Sequence, residues 1–141
     1  MDDENQCEYC NDPSRNVTAE QWALIELYGW MTHAVLDGVH ANFHTHGMPK
    51  TYRHLDLQIV VRLPGHLAQA LFVNAIHQIE GGLKFKDGDI SNEILDEYPV
   101  KFFETKECDR KVLRMILSDK EGQVDIDKLN KEYVYQYFYK T

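Results

Sequence analysis

The chain has 141 residues, 43% of them hydrophobic, and a formal net charge of −8. That length fits one domain with a sizeable core, and that charge argues against a nucleic-acid phosphate backbone as the main partner. No apolar run approaches the roughly eighteen residues of a membrane span, and the acidic start Met1-Asp2-Asp3-Glu4 is unlike a signal peptide, so the expected setting is cytoplasmic with no membrane partner.

Residues 1–20 carry six acids and one arginine, which predicts a solvated arm over 1–17 ahead of a single domain over 18–141. The arm holds Cys7-Glu8-Tyr9-Cys10, half of a zinc motif. Cys108 and one histidine complete a four-ligand set only if the arm folds back on the domain. The other reading is a pair of reduced surface cysteines, since neighbouring acids raise thiol pKa values and disfavour a reactive pair. An odd count of three cysteines does not suggest a secreted disulfide scaffold.

Thr18 and Gln21 form a capping-box pattern, and Trp22, Ile25 and Leu24 supply an apolar stripe, so a helix is expected over 19–28 with Gly29 as its C-cap. Trp30 to Leu36 reads as a strand, Asp37-Gly38 as a hairpin turn, and 40–48 as the second strand. Pro49 to Arg53 reads as a loop. Leu55, Leu57, Ile59, Val61 and Leu63 alternate along a third strand. Pro64 suits the first turn of a helix over 66–80, where Leu67, Ala68, Leu71, Phe72, Ala75, Ile76 and Ile79 recur at helical spacing before Gly81-Gly82.

Residues 86–92 read as a loop, and 98–105 and 111–117 as two strands. A turn at 119–122 leads towards a short strand near Val124, and Asp127 is placed to cap a short helix. The tail from Tyr133 to Tyr139 alternates with period two and reads as a strand with four tyrosines on one face. Such a strand suits packing on the sheet, a protein partner, or edge pairing in a homodimer. The expected class is α+β, a mainly antiparallel sheet of about five or six strands with two packed helices.

Four of the seven histidines fall between His40 and His54, and histidine serves both as metal ligand and as near-neutral proton carrier. On a strand His44 and His46 share a face about 7 Å apart, and His40 joins them if the strand is unbroken. His54 and Asp56 follow a short loop and can fold back, giving a set suited to zinc or another divalent transition metal. The other reading puts His44 and His46 on the solvent face, with Phe43 and Thr45 inward. His54 and Asp56 make either a general-base pair, with Thr45 as the candidate hydroxyl, or a structural pair in which His54 bonds a backbone carbonyl. Gly47 suits close packing or a bulge. His33 reads as a packing or surface residue, and His66 and His77 as unconnected residues of the long helix.

The order Gly29-Trp30, Thr45-x-Gly47, His54-x-Asp56, Leu63-Pro64 and Tyr98-Pro99-Val100-Lys101-Phe102 resembles the bacterial family catalogued as domain of unknown function 4262, over about residues 29–127. Where that family's pattern has an aromatic before the threonine, a leucine after the glycine and His-Pro-Glu, this chain has His44, Met48 and His54-Leu55-Asp56. Thr45, Gly47, His54 and Asp56 are the matching positions. The resemblance implies a fold and no particular activity.

Neither a P-loop nor GxSxG nor HExxH occurs. Two functions follow as expectations. One is a small binding or interaction domain, an accessory, defence or regulatory protein of bacteria. The other is a metal-dependent hydrolase built on His40, His44, His46, His54 and Asp56.

Overall fold

Burial of an apolar helix face against an apolar sheet face organises the chain. The structure, a computed structural model, describes residues 19–37, 40–107 and 109–140. Cys7 and Cys10 in the arm, the Thr18 cap, Gly38 of the expected turn and Cys108 lie outside the described residues, as do the side chains of 19–22 and of Asp37. In chain order the elements are α1 (Ala19–Tyr28), β1 (Met31–Asp37), β2 (His40–His46), α2 (Met48–Tyr52), β3 (Asp56–Ile59), α3 (Gly65–Glu80), β4 (Ile90–Leu95), β5 (Tyr98–Glu107), β6 (Arg110–Leu117) and α4 (Lys131–Val134), which runs into a 3-10 turn at Tyr135–Tyr137.

The six strands form one sheet in the order β1-β2-β3-β6-β5-β4. All neighbours are antiparallel except β3 and β6, which run parallel and are joined by way of α3 and the β4–β5 hairpin. The fold is α+β. One sheet face meets α3: Phe43, Leu57, Ile59, Phe102, Leu113 and Met115 pack with Ala68, Leu71, Phe72, Ala75 and Ile76 in a single cluster. Asn74 and Gln78 tie the helix to β4 through its Ile94 and Glu93 carbonyls at 2.9 and 3.3 Å.

The opposite face is polar and also buried. Asn42, His44 and His46 of β2, Asp56 and Gln58 of β3, Glu107 of β5 and Arg110 and Arg114 of β6 are all below 7% exposed. The register explains the clustering. His33 pairs with His44, His44 with Gln58, Gln58 with Arg114 and Arg114 with Phe103, which makes one transverse row across five strands. Alternation within each strand carries this row's neighbours to the same side.

Several expectations are corrected. β2 stops at His46, and the expected loop at 49–53 is the short helix α2, whose Pro49 needs no N–H in a first turn. Gly47 makes that turn at φ 106°, and a Cβ there would meet the Gly29 carbonyl oxygen at 2.4 Å. The third strand is only Asp56–Ile59, because the chain leaves the sheet before Pro64. The expected loop at 86–92 contains the start of β4, an edge strand that is largely exposed before Ile94 enters the core. No strand forms at Val124, which is buried in irregular chain.

The tail is not a strand. It turns as α4 and the 3-10 turn, so its tyrosines do not share one face. Buried Gln136 holds it down, its Oε1 accepting from Leu117 N at 2.8 Å and its Nε2 donating to Leu117 O at 2.9 Å. The amide thereby does for the end of β6 what a further strand would do. The apolar side of α1 is also less covered than its stripe implies: Leu24 is 43% exposed and Leu27 72%, beside the sheet's edge strand.

Phe72 is fully buried at the centre of the helix–sheet cluster. Phe72→Ala is expected to cost about 3–5 kcal/mol, the usual range for a buried aromatic cut to a methyl. Urea denaturation of the two proteins measures it, and a loss under about 1 kcal/mol would contradict this packing.

Candidate functional site

Three imidazoles converge on the polar face. β1 and β2 pair with Asp37 opposite His40 and His33 opposite His44. His46 lies two residues along β2 on the same side. One ring nitrogen from each of His33, His44 and His46 lies within 4.8 Å of the others. The rings of His33 and His44 meet edge to face at 5.1 Å, and those of His44 and His46 at 4.9 Å. His44 and His46 are fully buried and His33 is partly exposed.

A buried salt-bridge network backs these rings. Arg110 donates from Nη1 to Asp56 Oδ2 and from Nε to Glu107 Oε1, each at 2.8 Å, and from Nη2 to the Thr45 carbonyl at 3.0 Å. Asp56 Oδ1 accepts from Thr45 Oγ1 at 2.8 Å and from Met48 N at 3.1 Å. Glu107 Oε2 lies 3.1 Å from Asn42 Nδ2, its donor, and 3.2 Å from His44 Nδ1.

The network places the proton of His44. His44 Nδ1 faces two acceptors, Glu107 Oε2 and, at 3.2 Å, Asn42 Oδ1, so the proton is assigned there and Nε2 carries the lone pair. A carboxylate behind a ligating histidine is the usual support of a metal site. His46 Nδ1 lies 3.4 Å from Arg110 Nη1, a contact too long to fix which of its nitrogens carries the proton.

Burial pushes His44 and His46 well below the usual imidazole range, and the Arg110 charge pushes the same way. His33 is lowered too, by burial first, with Glu107 opposing. All three are therefore neutral near pH 7, the state a metal requires of imidazole.

The sequence-derived candidates divide. His44 and His46 come together, and neither faces solvent as the second reading had it. Asp56 stands behind them, occupied by Arg110, Thr45 and Met48. Thr45 Oγ1 also accepts from Leu57 N at 3.0 Å, which locks β2 to β3. His40 is exposed at the far end of β2, 5.8 Å from the Tyr139 ring. His54 lies elsewhere: its Nδ1 donates to Leu55 O at 2.7 Å and its Nε2 accepts from Phe85 N at 3.1 Å. His66 and His77 are exposed on α3. The residue that sequence reasoning passed over is His33: a turn centred on Asp37-Gly38 sets it opposite Asn42, whereas the observed register, with Asp37 paired to His40, sets it opposite His44.

The depressed histidine pKa values set a pH dependence for metal-free protein. A folded-state pKa below 6.5 means that unfolding takes up protons in the window between the two values, so stability falls as pH drops below about 6.5. Each of His44 and His46 contributes a slope of up to about 1.4 kcal/mol per pH unit in that window. Urea midpoints measured from pH 7.5 to 5 on chelator-treated protein should show the decline, and His44→Asn should flatten it. A level profile would mean that these rings are not held neutral.

Residues 24–123 match the family described as Domain of unknown function (DUF4262). Among curated proteins and among solved structures, the chain has no match. The matched span runs from within α1 past the end of β6 and so takes in the whole sheet, all three converging histidines and the arginine network behind them. With most of its length covered, the chain belongs to the DUF4262 family.

Proposed function

We propose that this chain is a binding domain whose ligand is a divalent transition metal, zinc or a close analogue, held by His33, His44 and His46. One observation carries the reading: three imidazole nitrogens lie within 4.8 Å of one another on rings that the fold keeps neutral. A tetrahedral zinc ion at the usual bond length has donor nitrogens about 3.3 Å apart, so the rings need to close by about 1.5 Å at most. Neutral nitrogen donors favour zinc, copper, nickel or iron over magnesium or calcium. Supporting second-layer groups are in place, with Glu107 behind His44 and Asp56 held beside it through Arg110.

Three protein ligands leave a fourth position for water or an outside donor, the pattern of catalytic zinc sites. That supports metal-dependent hydrolysis as the second reading, now on His33, His44 and His46 in place of the wider set with His40, His54 and Asp56. Binding stands first because both nearby carboxylates are engaged by Arg110, which leaves them poorly disposed as general bases. An intracellular accessory or regulatory role in a bacterium fits an odd cysteine count and a net charge of −8.

Equilibration of the full chain with zinc or cobalt, followed by desalting and elemental analysis, tests the proposal. One equivalent of metal per chain is expected, with the visible spectrum of tetrahedral cobalt. His33→Ala, His44→Ala and His46→Ala should each reduce it severely, while His40→Ala should retain it. Release on acidification should occur below the pH range of ordinary histidine sites, because protons compete poorly for these rings. No retained metal, or full retention in His33→Ala, would overturn the assignment.

A further inference from the structure

Arg114 is the other charged residue at the centre of the polar face. It is wholly buried, and among the described residues its hydrogen bonds go only to neutral groups. Nε donates to Gln58 Oε1 at 2.7 Å, and Nη1 donates to the carbonyls of Gln136 at 2.8 Å and Tyr139 at 3.0 Å. Nη2 is buried and has no hydrogen-bond partner. Among the described residues no carboxylate forms an ion pair with it, since Asp56 and Glu107 both engage Arg110. Its surroundings depress its pKa only to about 10, by burial first, so it carries its full charge near neutrality.

A buried guanidinium without a counter-ion is rare, and leaving even one of its donors unmatched is costly. Arginine presents its donors as a flat fork suited to two oxygens of a carboxylate or phosphate. Here one prong is unmatched. The outer wall is aromatic: the Tyr139 ring lies 5.8 Å from Cζ, and Phe103, the cross-strand neighbour of Arg114, meets Tyr137 edge to face at 5.0 Å. Tyr139 is only partly buried and Phe138 is 63% exposed, so this tail is the thin side of the enclosure.

We propose that Arg114 is the receptor of a small oxyanion, a carboxylate or a phosphate, which binds at Nη2 under the tail formed by residues 135–139. The site lies two strands from His44 on the same face and stands independently of any metal. The bound oxyanion supplies the acceptor that Nη2 lacks and adds a direct ion pair to the more distant field of Glu107. It also fastens the tail, because Arg114 already holds two of the tail's carbonyls.

Full-length protein freed of metal, with the chelator removed afterwards, is dialysed to equilibrium against labelled inorganic phosphate and, separately, labelled acetate, at ionic strength fixed with chloride. One saturable site per chain for at least one of the two is expected, and which one binds identifies the oxyanion class. Arg114→Gln should lower the affinity at least tenfold, and Lys106→Gln, a surface change in β5, should leave it unchanged. If Arg114→Gln does not fold, the wild-type protein still decides the matter: a ¹⁵N-labelled Arg114 side-chain resonance must shift saturably with the anion. Binding of neither anion, equal binding by folded Arg114→Gln, or an unmoved Arg114 resonance each overturns the proposal.

Discussion

The buried Arg110 guanidinium is the junction on which the polar half of this protein depends. Four of its contacts reach three other strands: Asp56 of β3, Glu107 of β5, and the Thr45 carbonyl and His46 ring of β2. A lone buried charge is prohibitive, and a buried pair is tolerable only when its remaining donors and acceptors are also met. Asp56 and Glu107 meet that condition through Thr45, Met48 and Asn42. The same junction fixes the site. Its charge helps keep His44 and His46 neutral, and its grip on Glu107 holds that carboxylate against His44 Nδ1.

The sheet therefore separates two tasks. Its α3 side is apolar and supplies the nonspecific driving force of burial. Its other side gains little from burial and much from geometry, since its polar groups fit in few ways. β2 belongs to both, with Phe43 in the apolar cluster and His44 and His46 in the polar one. This is why a strand of mixed polarity is buried along nearly its whole length. Substitutions on the α3 side should act on stability alone, whereas changes on the polar side should act on stability and on the proposed metal and oxyanion binding together.

How much of this was legible in the residues varies by element. The helix after Pro64 declared itself through apolar residues at i, i+3 and i+4, and its buried set Leu71, Phe72, Ala75 and Ile76 is the one the spacing implies. β5 and β6 were readable from runs of apolar and β-branched residues. β4, Ile90–Leu95, was not, because its first four residues are Ile-Ser-Asn-Glu at an exposed edge and only Ile94 and Leu95 reach the core. The tail misled for a different reason: alternating tyrosines mimic a strand, but the Gln136 amide already meets the Leu117 backbone from a helical turn. Crowding drew attention to the histidines of β2, yet which imidazoles converge depended on pairing. His54 is near in sequence and bound to Leu55 and Phe85, while His33 is eleven residues from His44 and directly opposite it.

Charge balance links the two ends of the transverse row. Arg110, Arg114, Asp56 and Glu107 sum to zero on this face when the histidines are neutral, but the pairing is uneven. Both carboxylates sit on Arg110, which leaves a negative excess near the imidazoles and a positive excess at Arg114. A divalent cation is attracted to the first region and an anion to the second, in a buried setting where opposite charges interact far more strongly than in water. Three neutral imidazoles add nothing to offset an incoming metal's two charges. The local negative excess behind His44 offsets part of them, and an anion at Arg114 would offset more. The arrangement is thus suited to hold a cation and an anion at separate places on one buried face, with Gln58 bonded to Arg114 on one side and to Asn42, the neighbour of His44, on the other.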